Sequence, residues 1–133
     1  MPSHSMPLIS IVDDDLSVRR ALRRLVLGAG YAVETFASAA EFLDSRPSGR
    51  TACLVLDLHL DGASGFDVRT RLAAAGDAIP TILITAHDDA PTRERARQAG
   101  VVAYLAKPFD KRALLEAIRR AVDRGSLPAG MPE

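Results

Sequence analysis

Five short apolar runs rich in β-branched residues recur along the chain, at 8–12, 32–36, 52–56, 81–85 and 101–105, and each predicts a strand. Between them the pattern changes period. Val18, Leu22, Leu25 and Ala29 fall on one face at intervals of three and four, which predicts a first helix closed by Gly28 and Gly30. Ser38 and Glu41 have capping-box spacing, predicting a second helix over 39–43. Ser64 and Asp67 repeat that spacing ahead of Val68 and Leu72. Pro91 opens a fourth helix ended by Gly100, and Asp110 caps a fifth that buries Leu114, Leu115, Ile118 and Val122.

Strict alternation of strand and helix implies right-handed crossovers and a parallel sheet covered on both faces, in keeping with the continuous apolar runs LISIV, LVL and TILI. The fold class is α/β, a doubly wound (βα)5 sandwich. Its extent is 8–124, between a flexible N-terminus at 1–7 and a flexible tail or linker stub at 125–133, where Gly, Ser and Pro accumulate.

A chain of 133 residues is long enough for a single hydrophobic core. Lys plus Arg equals Asp plus Glu at 17 each, so no global field favours nucleic acid or an anionic membrane. Cys53 is the only cysteine, which excludes an internal disulfide and a Cys-based zinc site and fits a reducing cytoplasm. No stretch reads as a signal peptide or reaches the roughly 18 apolar residues of a membrane span.

In an open parallel sheet, ligands bind beyond the carboxyl ends of the strands, where the winding reverses. The residues at those ends are Asp13 and Asp14 after the first strand, Asp57 after the third, Thr85 at the fourth and Lys107 after the fifth. Carboxylates a few ångströms apart repel by roughly 4 kcal/mol per pair at an effective dielectric of 20, and a hard divalent cation relieves that. Mg2+ suits such oxygen ligands, with Mn2+ as a substitute, and no His or Cys arrangement indicates zinc or copper at these strand ends. A carboxylate can attack phosphorus to form an acyl phosphate if the charge on the transferred oxygens is neutralised. Mg2+ and Lys107 are placed to do so, while the Thr85 hydroxyl can donate to a phosphoryl oxygen and Tyr104 can swing into space it vacates.

The segments IVDDD, LVLDLHLDGASG, TILITA and YLAKPF resemble the response-regulator receiver domain of two-component signalling, over about 8–122. The resemblance implies a CheY-like, flavodoxin-like sheet of strand order 2-1-3-4-5. It implies that Asp13 and Asp14 organise Mg2+ and that Asp57 is the phosphoacceptor. The backbone carbonyl of His59 completes the metal shell, Thr85 and Tyr104 form the switch, Lys107 binds the phosphoryl group, and Lys107–Pro108 is a cis peptide. Gly65 matches the loop glycine after the acceptor strand. One departure stands out: Leu60 and Asp61 occupy the place of a common Met-Pro pair.

The function implied is a phosphorylation-switched receiver charged by a histidine kinase or phosphotransfer protein, not an enzyme, with self-phosphorylation and self-dephosphorylation on Asp57 only. With no DNA-binding segment after 124, the expectation is a stand-alone regulator that acts on a downstream protein target, without nucleic acid or membrane, and with a homodimer formed on phosphorylation as a further partner. The alternatives are a receiver cut from a longer helix-turn-helix transcription factor and a small Mg-dependent phosphohydrolase. The latter wants a second acid where His59 stands, and a nucleotide enzyme wants a Gly-rich loop that is absent. A flavin carrier would need a phosphate loop where DDD repels phosphate. Blander roles compete at single positions. Asp15 reads as a helix cap, Arg19, Arg20, Arg23 and Arg24 as an exposed charged face or an acid-binding one, and Cys53 as a buried small hydrophobe. His59 and His87 flank the pocket, either incidentally or with an influence on the acyl phosphate.

Overall fold

Alternating apolar runs and amphipathic segments become alternating strands and helices in the computed structural model, which describes residues 6–45 and 50–126. In chain order these are β1 (Leu8–Val12), α1 (Leu16–Gly28), β2 (Ala32–Phe36), α2 (Ala39–Ser45), β3 (Thr51–Asp57), β4 (His59–Leu60), β5 (Ala63–Ser64), α3 (Gly65–Ala74), β6 (Thr81–Thr85), α4 (Ala90–Gln98), β7 (Ala103–Ala106) and α5 (Lys111–Ser126). The main sheet is all parallel and runs β2-β1-β3-β6-β7. Counting its strands alone, that is the expected order 2-1-3-4-5, and the winding reverses between β1 and β3.

The side-chain period of two splits the sheet into two cores. Ile9, Ile11, Val55, Ile82 and Ile84 face α1 and α5, where Leu22, Val26, Leu114 and Ile118 close over them. Val12, Leu54, Leu56 and Leu83 face the other way, onto Phe42 of α2, Phe66, Val68 and Leu72 of α3, and Ala96 of α4. Phe36 and Phe42 meet edge to face at 5.4 Å. Cys53 is fully buried, and burial pushes its thiol up to about 12, so it is the inert hydrophobe expected of it.

Helix ends follow local chemistry. Asp15 caps α1 by accepting from the amides of Ser17 and Val18, and Ser64 and Asp67 form a complete capping box on α3. Asp89 caps α4, with a proline in its first turn, and Asp110 accepts from the Arg112 amide at the start of α5. At α2 only half of the expected box forms. The Glu41 amide donates to Ser38 Oγ, but the Glu41 carboxylate accepts from the Ala37 amide rather than from that of Ser38.

Several boundaries move. β3 begins at Thr51 and takes in Asp57, while β7 starts two residues later than the apolar run, because this edge strand pairs only with β6, from Ala103 onward. Helix α5 buries Leu114, Ala117, Ile118 and Ala121, leaving Leu115 and Val122 only partly covered. It continues through Ser126, two residues past the expected end of the domain, and 127–133 lie outside the described residues, as do 1–5 of the N-terminal segment. The β4–β5 hairpin was not anticipated. It pairs His59 with Ser64 and Leu60 with Ala63 around Asp61-Gly62, where Gly62 adopts φ +76°, a conformation that favours glycine.

Candidate functional site

Every strand of a parallel sheet delivers its last residue to the same edge, and here that edge is acidic. Asp13, one residue past β1, is fully buried, and Asp57, the last residue of β3, is nearly so. Asp14 is exposed beside them, and the three carboxylates bring one oxygen each within 4.8 Å of one another. Among the described residues this is the one such cluster of three or more potential metal ligands.

Lys107 enters from the outermost strand, just past β7. Its Nζ lies 3.0 Å from Asp13 Oδ2 and 3.3 Å from Asp57 Oδ2. The Lys107–Pro108 peptide that follows is cis. Burial raises the Asp57 pKa above the usual carboxylate range, and the Asp13 charge adds to this, against the opposing effects of the His59 amide and Lys107. Burial by itself pulls Lys107 down, but the Asp13 and Asp57 carboxylates together outweigh it and hold the ammonium above its ordinary value. The result is one cation shared by two buried anions, with Asp14 adding a third negative charge. Such a pocket retains an excess of negative charge that a divalent cation can neutralise.

Backbone amides hold the carboxylates in place. Asp13 Oδ1 accepts from the Asp15 amide at 2.9 Å and Asp57 Oδ1 from the His59 amide at 3.1 Å. Asp14 Oδ2 accepts from the Asp61 amide at 3.1 Å. Asp61, the residue that departs from the common pair, thus meets the pocket through its backbone, and its carboxylate is not part of the cluster. Gly65 is required sterically. Its amide donates to Leu58 O at 2.8 Å, and a Cβ here would stand 3.0 Å from Asp57 O and 3.1 Å from Leu58 Cα.

Thr85 ends β6, next to β3, one register position beyond the Asp57–Ile84 pair. It is buried, and its Oγ1 accepts from the His87 amide at 3.0 Å, leaving the hydroxyl proton to donate elsewhere. Tyr104 sits on β7 opposite Leu83, partly buried, with its hydroxyl donating to Asp88 Oδ1 at 3.1 Å. Asp88 is itself paired with Arg93 at 3.4 Å. Burial first, and then the Asp88 bond and charge, raise the Tyr104 phenol above its ordinary value.

Two supports escaped the sequence reading. Arg19 is drawn out of the charged face of α1, where its Nη1 donates to Asp13 O at 2.8 Å and braces the loop carrying the acids. Arg69, on α3, donates to Ala99 O at 2.7 Å and ties α3 to the end of α4. Neither has a signal in sequence, because the carbonyls of Asp13 and Ala99 are backbone groups that any residue would offer.

A five-stranded parallel sheet with an aspartate cluster and a lysine at its switch point defines a class of signalling module. The family model for the response regulator receiver domain matches residues 9–119. Nodulation protein W of Bradyrhizobium diazoefficiens is 44% identical over 117 residues, which are 88% of this chain and 52% of that protein. The transcriptional regulatory protein FixJ of Azorhizobium caulinodans is 35% identical over 92% of this chain and 57% of its own length. A response regulator receiver protein from Burkholderia phymatum superposes with a TM-score of 0.77 at 43% identity, covering 94% of this chain and 99% of that one. This chain belongs to the response regulator receiver domain family of two-component signalling, and it spans about half the length of the curated relatives it matches.

Membership carries coarse consequences. Receiver domains bind Mg2+ at an acidic pocket, receive their signal from a histidine kinase, and are signalling modules rather than enzymes acting on an outside substrate. None of the helices among the described residues is long and apolar enough to cross a membrane.

Proposed function

We propose that this chain is a phosphorylation-switched receiver in which Asp57 accepts a phosphoryl group from a histidine kinase or a histidine phosphotransfer protein. The observation that carries the reading is Lys107 Nζ, held between Asp13 and Asp57 at 3.0 and 3.3 Å. An ammonium in that position neutralises charge that builds on the transferred oxygens as the Asp57 carboxylate attacks phosphorus. Asp13, Asp14, Asp57 and the His59 carbonyl are the residues that would hold Mg2+, with Mn2+ as a substitute, and the ion supplies further neutralisation of the phosphoryl oxygens. Thr85 donates to the phosphoryl group and Tyr104 follows it inward, exchanging its Asp88 bond for the space beside Thr85. The only chemistry is on Asp57 itself, its phosphorylation and later hydrolysis, and the domain works in the cytoplasm, where Cys53 stays a thiol.

The share of the relatives that is matched favours a second reading of the output. Expecting a stand-alone regulator rested on where the chain stops, whereas a relative such as FixJ is a transcriptional regulatory protein of which the match covers 57%. The receiver then controls transcription through a DNA-binding output, itself making protein contacts, including a homodimer formed on phosphorylation, and none with nucleic acid. In either case the proposed extent of the domain is 8–124, with α5 running on to Ser126.

The test is intact mass after incubation with a small phosphodonor and Mg2+. One added phosphoryl group is expected for the unaltered chain and none for Asp57→Asn. Equal labelling of the Asp57→Asn chain would place the acceptor elsewhere.

A further inference from the structure

Two residues beyond Asp57 and two beyond Thr85 stand imidazoles that the phosphoryl chemistry does not use. His59 and His87 are both exposed, and their ring centroids lie 5.1 Å apart with the planes at 87°. They come from β4 and from the loop after β6, yet each is fixed by the same device. The His59 amide donates to Asp57 Oδ1, and the His87 amide donates to Thr85 Oγ1. Each imidazole therefore stands two residues beyond a pocket side chain that anchors its own backbone.

We infer that His59 and His87 form a binding site for a borderline transition cation such as Zn2+, separate from the hard-ion cluster beneath it. Imidazole nitrogen suits Zn2+, Ni2+ and Cu2+, whereas Mg2+ takes oxygen. The spacing fits. With a Zn–N bond of about 2.05 Å, the metal stands about 3.2 Å from each ring centroid, so a tetrahedral N–Zn–N angle separates the centroids by about 5.2 Å. One ring must turn so that both nitrogens aim at a common point, a motion that exposed side chains make in picoseconds to nanoseconds. Water completes the coordination. The bound ion clips β4 to the loop after β6, each anchored through its backbone to a side chain of the pocket. Slower entry of a phosphodonor is a consequence that rests on the function proposed above, while the binding itself does not.

The experiment is a Zn2+ titration followed by the ring resonances of the histidines and by calorimetry, in millimolar Mg2+. It uses the chain carrying His4→Gln, since His4 is the only other histidine. The result expected is a single site that shifts the rings of His59 and His87 together. His59→Gln and His87→Gln should each weaken it by at least the roughly tenfold that outer-shell losses already cost a metal site. Both residues are exposed, and an otherwise unchanged amide spectrum will show that the variants fold. Absence of Zn2+ binding would overturn the inference, and so would binding that survives either substitution or is displaced by Mg2+, since the ion would then sit in the carboxylate cluster.

Discussion

The fold raises the proton affinity of Asp57. Burial and the Asp13 charge raise its pKa in the folded chain above the ordinary 3.8, so the native state binds that proton more tightly than the unfolded state does. Its contribution to stability is complete below the ordinary value and is lost as pH rises through the raised one. At neutral pH and without divalent cations, Asp57→Asn should therefore melt at a higher temperature than the unaltered chain, and the gain should shrink to nothing as pH falls below 3.8. A gain that stays constant from pH 7 to pH 3 would contradict this account. The five side chains Asp13, Asp14, Asp57, Thr85 and Lys107 were legible because strand ends in a parallel sheet share one edge. What sequence did not reveal was their bonding, such as Arg19 turning to the Asp13 carbonyl or Asp61 meeting Asp14 through its amide. Any residue can offer a backbone carbonyl or amide, so residue type carries no information about those contacts.

Among the elements, the segment between β3 and α3 is the most constrained. It must turn at Asp61-Gly62, pair as a hairpin, and bring the first residue of α3 against the backbone of Asp57 and Leu58. Gly65→Ala should cost about 1–3 kcal/mol, the usual range for inserting a methyl group where no space exists. Urea unfolding is the check, and a loss below about 0.5 kcal/mol, the range of a neutral surface change, would show that the Asp57 and Leu58 backbone gives way easily. The strands at 8–12 and 81–85 coincide with their apolar runs because both faces of an interior parallel strand are covered. The apolar run over 101–105 overstates β7, since Val101 and Val102 are partly buried by the cores before ladder pairing begins at Ala103. Burial and strand pairing are separate events there, and hydrophobicity reports only the first. The β4–β5 hairpin had a signal in Asp61-Gly62, but at two residues per strand it is too short to show a periodicity.

For the whole molecule, the central strands β1, β3 and β6 are hydrogen-bonded on both sides and lie between the two cores, whereas β7 is an edge strand whose residues are all partly exposed. Amides of β3 from Leu54 to Leu56 should exchange with solvent only through global unfolding, and those of β7 through smaller openings and faster. Hydrogen exchange in native conditions measures this, and slower exchange in β7 than in β3 would refute it. Chain order and period determined the class of fold, since alternating short strands and helices leave few arrangements other than a right-handed doubly wound sheet. They also determined which residue types reach the sheet edge. Tertiary structure alone decided the rest. Lys107 is 94 residues from Asp13 along the chain, and only closure of the sheet from β1 across to β7 brings that ammonium to within 3.0 Å of the carboxylate. The facing of His59 and His87 has the same origin. Distances of a few ångströms between side chains depend on packing and register, which local sequence preference does not encode.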